Sequence, residues 1–217
     1  MAEKKRIMKL SIISDTHGQQ NKIGRLNGDV LIHCGDMFNL FSNTNSGDEI
    51  DVIDEWFGQQ SFDLILCIGG NHDLSLQRHL KLNAQPFSNA IFLNGETYNY
   101  QGINFFGSSW VPELQSQAFY ADEKLLKDEW AAIPKSTDVL ITHTPPFGVL
   151  DTSSQGMVLG CKHLAKNVKR IKPTLHCFGH IHASSGMVKN GRTTFINAAL
   201  AGRGHQLIRD PYIFDLF

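Results

Sequence analysis

Long apolar runs are missing from this 217-residue chain, and so is an excess of either charge. No apolar stretch is long enough to cross a bilayer, and the charged start is followed by too short an apolar segment for a signal peptide. Lysine and arginine number 20 against 21 aspartates and glutamates, so the formal net charge is −1. Long nucleic acids usually require a basic surface, so we expect neither a long nucleic acid nor a membrane as partner.

Cysteine is also scarce, and its spacing excludes several kinds of site. The four cysteines are scattered without a C-x-x-C pair: Cys34, Cys67, Cys161 and Cys177. All but Cys161 lie in or at the end of apolar runs. This pattern does not favour an iron–sulfur or structural zinc site. In a chain without a secretion signal, it predicts reduced cysteines in the core and a cytoplasmic location.

The residues that are present are typical of one globular domain, which we expect to span residues 1–217. There is no internal repeat, low-complexity tract or interdomain linker. Short apolar runs predict buried strands at 7–14, 29–34, 64–68, 138–142 and 174–178. Segments with helical character lie between the strands, at 48–60, 74–82, 121–132 and 161–170. Alternating strands and helices indicate the α/β class.

Two parts of the chain instead favour antiparallel pairing. Runs at 90–93, 96–100 and 103–107 are joined by Asn94-Gly95 and Gln101-Gly102. Near the end, the runs 186–189 and 193–197 flank Asn190-Gly191, and 212–217 forms a last strand. Asn-Gly between apolar runs is a strong hairpin signal. We therefore predict a sandwich of two mixed sheets with helices outside.

Polar motifs follow the predicted strands, where α/β sheets usually bind ligands. They are Ser14-Asp15-Thr16-His17, Gly35-Asp36, Gly70-Asn71-His72-Asp73, Thr142-His143 and Gly179-His180-Ile181-His182. Each motif alone fits a turn, a helix cap or an exposed loop. Together they offer two carboxylates, an amide and several imidazoles, which suit two divalent cations that clamp a phosphoryl group. The set predicts a metal-dependent phosphoesterase, with Asp36 as a carboxylate that bridges the metals.

These motifs resemble the pattern D-x-H, G-D, G-N-H-[DE], a later His and G-H-x-H of the calcineurin-like metallophosphoesterase superfamily. The resemblance covers residues 15–182 and implies a four-layer αββα sandwich. It implies one metal on Asp15, His17, Asp36 and His182, and a second on Asp36, Asn71, His143 and His180. It also implies that His72 is an acid outside the metal shell, oriented by Asp73.

A closer resemblance is to the metallophosphoesterase domain-containing (MPPED, fetal-brain) proteins. It is carried by residues 28–40, 107–110, 142–148, 159–161, 195–198 and 213–216. The resemblance implies hydrolysis of phosphodiesters, including cyclic nucleotides, supported by Mn²⁺; iron, zinc, magnesium and cobalt also suit the ligand set. Some vertebrate members carry glycine where this chain has His180, so a full metal set is expected here.

One departure from the wider superfamily bears on the substrate. Asn39 replaces the usual second Asp, and Leu40-Phe41 replaces the Arg-Gly of protein phosphatases and dinucleoside tetraphosphatases. These changes count against those two substrate classes. We expect in-line attack on a small phosphodiester by a hydroxide that bridges the metals, with His72 protonating the leaving oxygen.

Several alternatives stay open from the sequence. A phosphomonoesterase fits the same residues, whereas a nuclease or a non-catalytic scaffold of the same fold fits them less well. The substrate would be recognised by loops around Phe41, Trp110 and Phe147. We expect the histidines outside the motifs to be structural: His33, His79, His163, His176 and His205. The oligomeric state is not readable from the sequence.

Overall fold

Two mixed β-sheets form the centre of the protein. The computed structural model describes residues 7–39, 46–81 and 85–217, with the backbone alone for 46–48. The first sheet has the strand order β11-β1-β2-β3-β4. These strands are β1 (Met8–Ile13), β2 (Val30–His33), β3 (Leu64–Cys67), β4 (Ile91–Phe92) and β11 (Tyr212–Leu216). The strands from β1 to β4 are parallel, and β11 pairs antiparallel with β1.

The second sheet has a parallel centre and two antiparallel edges. Its order is β5-β6-β7-β8-β10-β9, with β6 to β8 and β10 parallel. The strands are β5 (Glu96–Tyr100), β6 (Ile103–Ser108), β7 (Val139–Thr142), β8 (Leu175–Phe178), β9 (Gly186–Asn190) and β10 (Thr193–Asn197). The edge strands β5 and β9 are joined to their neighbours by hairpins.

Side chains alternate between the two faces of each strand and thereby divide the apolar core into three layers. Because successive side chains point to opposite faces, Ile12 and Ile32 of the first sheet pack against the second sheet, whereas Leu31 points outward. The second sheet repeats this arrangement: Ile141 lies in the layer between the sheets and Leu140 in the outer layer. The apolar runs of the sequence are thus buried on both faces.

In the described part of the chain, four helices cover the outer faces of the sheets. α1 (Ser46–Gly58) and α2 (Leu74–Leu80) pack on the first sheet, and α3 (Glu123–Ala132) and α4 (Lys162–Ile171) on the second. The predicted αββα order is confirmed. The ranges that the structure describes also contain three short 3-10 segments that were not predicted: Gln20–Lys22, His182–Ser184 and Arg203–His205. Among the described residues, no helix combines the length and apolar character needed to cross a lipid bilayer.

One predicted hairpin is wrong. β4 pairs with β3 in the first sheet, whereas β5 pairs with β6 in the second, so Asn94-Gly95 carries the chain from one sheet to the other. The hairpins at Gln101-Gly102 and Asn190-Gly191 are confirmed. Residue 82, the predicted end of the second helix, lies outside the described residues. All four cysteines are unpaired and buried, as predicted.

His176 lies in the core, which confirms its expected structural place. The side chain is fully buried on the outer face of β8, with its ring 5.0 Å from that of Phe178. Its Nε2 forms a 2.9 Å hydrogen bond with the hydroxyl of Thr142. Burial lowers the pKa of His176 to about 3, because the charged imidazole would lose its hydration.

Protonation of His176 should therefore make the protein less stable in acid. An unfolded histidine has a pKa of about 6.5, so its contribution to stability is complete above that pH and falls below it, by about 2 kcal/mol at pH 5. We expect His176→Gln, which can still bond to Thr142, to flatten the pH dependence of the free energy of unfolding measured in urea. The comparison variant is His163→Ala, at a half-buried position on α4. An unchanged slope in His176→Gln would contradict the assignment.

Candidate metal centre

The loops after β1 and β2 run side by side and fix the first predicted ligands. Parallel hydrogen bonding continues past the strand ends: the Asp15 amide donates to the Gly35 carbonyl at 3.0 Å, and the His17 amide to the Asp36 carbonyl at 3.1 Å. Asp15, His17 and Asp36 all have positive φ, at 57°, 46° and 55°. Non-glycine residues adopt this conformation at a cost, which the surrounding backbone contacts must offset.

Glycines allow the neighbouring loops to touch. Gly35 has a φ of +95°, and a Cβ built on it would lie 2.6 Å from the Gly69 carbonyl oxygen and 2.7 Å from His143 Nδ1. A Cβ on Gly70 would overlap the carboxylate of Asp36. Only glycine fits where backbone and ligand side chains approach so closely. The glycines beside the motifs therefore set the spacing of the site.

One group of predicted ligands consists of Asp15, His17 and His182. His182 Nε2 lies 3.1 Å from Asp15 Oδ1 and 3.3 Å from His17 Nε2. The backbone amide of His180 donates to both carboxylate oxygens of Asp15, at 3.2 and 3.1 Å. The Gly-His-Ile-His motif after β8 is thereby attached to the Asp-Thr-His motif after β1, across the two sheets.

A second group forms around His143. Its Nε2 lies 3.0 Å from Asn71 Oδ1 and 3.4 Å from Asp36 Oδ2, and the ring of His180 is 5.1 Å away. His143 Nδ1 donates to the Cys34 carbonyl at 2.8 Å, which leaves Nε2 facing the carboxylates. All seven residues predicted as metal ligands therefore meet at one place.

Asp15 links the two groups. One ligand atom each from Asp15, Asp36 and His143 lie within 4.8 Å of one another, as do those of Asp15, His17 and His182. Oxygen and imidazole nitrogen donors at this spacing suit divalent cations of intermediate hardness. The residues therefore fit the metals that the sequence implied.

The charges within the centre are strongly coupled. Burial opposes ionisation of Asp15 and Asp36, yet the imidazoles of His182 and His143 hold the pKa values of these carboxyls well below their usual range. Burial likewise opposes a charge on His143, but the Asp36 carboxylate raises its pKa to about 9. Burial lowers the pKa values of His17 and His180 to about 4.

The predicted partnership of His72 and Asp73 is wrong. Asp73 is fully buried and its carboxylate accepts hydrogen bonds from the amides of Phe38 and Gly70, at 2.9 and 2.8 Å. His72 Nδ1 is buried with no hydrogen-bond partner among the described residues. Asp73 therefore ties the loops after β2 and β3 together rather than orienting the His72 ring. Burial, with the charge of Asp36, raises the pKa of Asp73 well above its usual range.

His72 nevertheless faces the centre. Its Nε2 lies 4.0 Å from Asp36 Oδ2, and its backbone amide donates to Asp36 Oδ1 at 2.8 Å. The ring packs edge-on to His17 with 4.7 Å between centroids. The imidazole is only partly exposed, so it lies where the centre opens to solvent.

Two residues at the site were not predicted. Gln117 accepts a hydrogen bond from Asn71 Nδ2, which turns the amide oxygen of Asn71 toward His143. His205, expected to be structural, stacks on His17 with 4.2 Å between ring centroids. The run Gly202-Arg203-Gly204-His205 is a loop signal that draws attention to His205, whereas nothing in the sequence marks Gln117.

The aromatic residues in the loops expected to recognise substrate have different surroundings. Phe147 is 44% exposed, with the Lys162 ammonium 5.5 Å above its ring. Trp110 packs against Phe119, with 6.5 Å between ring centroids. Phe41 and the Leu40-Phe41 departure lie outside the described residues.

The fold agrees with the comparisons to known proteins. A model of the calcineurin-like phosphoesterase family matches residues 8–184, and the chain belongs to this family. A UPF0046 protein of Caenorhabditis elegans is 36% identical, over 95% of this chain and 74% of its own. Human metallophosphoesterase domain-containing protein 1 is 31% identical, over 94% of this chain and 69% of its own. The closer resemblance seen in the sequence is thus confirmed.

A solved structure supports the fold independently. The Thermus thermophilus protein TT1561 aligns with a TM-score of 0.58 over 88% of this chain and 89% of its own, at 14% sequence identity. Calcineurin-like phosphoesterases are metal-dependent hydrolases of phosphoesters, and this chain carries groups of residues able to bind the metals.

Crowding at Gly35 gives a test of how tightly the centre is built. We expect Gly35→Ala to cost more than about 2 kcal/mol of stability, because strain at positive φ adds to overlap with Gly69 and His143. Gly18→Ala is the matched control, since Gly18 has a φ of +75° but no atom within 4 Å of its built Cβ. The control should cost only about 1 kcal/mol in urea unfolding. Equal costs for the two variants would show that crowding at Gly35 is unimportant.

Proposed function

We propose that the protein hydrolyses small phosphodiesters, cyclic nucleotides among them, at a centre of two divalent metals. One observation carries the proposal: Asp15 and Asp36, both fully buried, approach each other within 4.8 Å beside His143. Two anions so close in a protein interior need positive charge between them. The relationship to human metallophosphoesterase domain-containing protein 1 supports phosphoester chemistry.

In this proposal each metal has its own set of ligands, with Asp36 shared. Asp15, His17, Asp36 and His182 would hold one metal, and Asp36, Asn71, His143 and His180 would hold the other. The proximity of Asp15 to both groups gives a second candidate for the bridge. When bound, the two cations neutralise charge on the phosphoryl oxygens and lower the pKa of water so that it supplies the nucleophile. Mn²⁺ is the proposed metal.

The chain's own residues prepare the site before substrate arrives. The hydrogen bond from His143 Nδ1 to the Cys34 carbonyl fixes that ring, and Gln117 fixes the Asn71 amide. His72 stands at the opening with Nε2 4.0 Å from Asp36. In the proposed reaction it donates a proton to the leaving oxygen, a role that suits an imidazole near neutral pH.

The proposal favours small substrates because the near-neutral chain offers little attraction to a polyanion. Hydrolysis of monoesters at comparable rates would identify a broad phosphatase instead. A cytoplasmic location, a single domain and the absence of a long nucleic acid partner stay predictions from the sequence.

Removal of a proposed metal ligand tests the metal centre. We expect Asp36→Asn and His143→Ala each to lower metal-supported hydrolysis of bis-p-nitrophenyl phosphate by more than about 100-fold, because even indirect ligand partners contribute factors of 10 to 100 to metal affinity. Bound manganese, measured by mass spectrometry after desalting, should fall in parallel. Glu123→Gln on the exposed start of α3 is the control. Full turnover in either ligand variant would refute the assignment.

The acid role of His72 predicts a dependence on the leaving group. His72→Ala should slow diesters with a poor, alkoxide leaving group by about 100-fold or more, while p-nitrophenyl diesters lose much less. The reason is that p-nitrophenolate leaves as the free anion, whereas an alkoxide needs a proton in order to leave. The measurement is kcat across a series of leaving groups, with metal content determined in parallel. The same loss on every substrate would rule out proton donation by this residue.

A further inference from the structure

A loop far along the chain carries a histidine to the edge of the metal centre. Residues 201–207 turn back on themselves: Ala201 forms an antiparallel bridge with Leu207, and the Gly202 amide donates to the Gln206 carbonyl at 2.8 Å. Gln19, just after the first motif, donates from Nε2 to the His205 carbonyl at 2.6 Å. The loop is therefore attached to the segment that presents Asp15 and His17.

His205 is held in a costly backbone conformation. Its φ is +59°, in the left-handed region that non-glycine residues seldom adopt. Four of the seven residues predicted as metal ligands share this property: Asp15, His17, Asp36 and His180. Strain of this kind persists only where surrounding contacts enforce it, and it concentrates at functional sites.

The ring of His205 faces the same opening as three other imidazoles. It stacks on His17 at an interplanar angle of 14° and lies edge-on to His72 and His182, with centroids 5.0 and 5.6 Å away. One ring nitrogen each from His17, His72 and His205 lie within 4.8 Å of one another. A group held between His17 and His72 is therefore within reach of His205.

Stacking makes His205 unsuitable as a ligand of a metal that His17 binds. The lone pair of an imidazole nitrogen lies in the plane of its ring, so two stacked, nearly parallel rings direct their lone pairs along separate planes. His17 already turns its Nε2 to His182 and, through it, to Asp15. The role left for His205 at this opening is hydrogen bonding through a ring N–H.

We propose that His205 is a substrate-binding residue whose ring N–H donates to a non-bridging phosphoryl oxygen of the phosphoester. The inference rests on the proposed function, since it places the phosphoryl group between His17 and His72. His205 complements the metals: it contacts the phosphoryl group from the solvent side and contributes to affinity for phosphate without holding a metal.

The test compares two variants with the manganese-loaded wild-type protein, using inorganic phosphate as the probe. His205→Ala removes the donor, whereas His205→Asn keeps an N–H and tolerates positive φ. His163→Ala is the control, because His163 lies on α4 with Glu123 as partner. Titration calorimetry gives phosphate affinity without turnover, and bound manganese and KM for bis-p-nitrophenyl phosphate are measured on the same samples.

We expect His205→Ala to weaken phosphate affinity about tenfold or more, and to raise KM, with bound manganese unchanged. His205→Asn should recover much of that loss. The inference is overturned if His205→Ala binds phosphate normally, if it loses manganese, or if His205→Asn is as weak as His205→Ala.

The phosphate titration also separates this inference from the proposed function. A wild-type protein that binds phosphate through His205 but turns over no ester refutes the function and supports the binding role. If the enzyme is active but His205→Ala binds phosphate as tightly as the wild-type protein, only the binding role is refuted.

Discussion

The approach of two buried carboxylates is the constraint on which this structure depends. Asp15 and Asp36 lie within 4.8 Å of each other with essentially no solvent contact. Such a pair is unfavourable in a protein interior unless positive charge and hydrogen bonds offset the repulsion and the lost hydration. His143, His182 and the amides of His72 and His180 do so from three different loops. The arrangement therefore holds carboxylate and imidazole ligand atoms close enough together to bind a cation.

The two-sheet architecture makes this arrangement reachable. Parallel strands end at the same edge, so the loops after β1, β2 and β3 meet, and those after β7 and β8 approach them across the apolar layer between the sheets. Positive φ at Asp15, His17, Asp36 and His180 carries a cost of about 1–3 kcal/mol each. Three apolar layers and the backbone bonds between loops hold these residues in place.

Much of the fold could be predicted because its signals are local. Short runs of apolar residues define strands buried on both faces, and Gln101-Gly102 and Asn190-Gly191 form the turns that such residues favour. Asn94-Gly95 shows where this reasoning fails. An Asn-Gly turn can join two strands of a hairpin or connect a strand of one sheet to a strand of the other. Which of the two forms here depends on whether residues 91–92 pair with the edge of β3. That edge exists only in the assembled protein.

The same division holds at the metal centre. The seven residues that converge there could be predicted from sequence, because each carries ligand chemistry at the end of a buried strand. How those residues are supported depends on the packing of the two sheets. In the folded protein the Asp73 carboxylate accepts hydrogen bonds from the amides of Phe38 and Gly70. Gln117 accepts one from Asn71, and the His205 ring stacks on His17. Apart from the bond between Asp73 and Gly70, those contacts join segments far apart in sequence. The residues involved are ordinary in their local surroundings, so they acquire a role only when the sheets are packed.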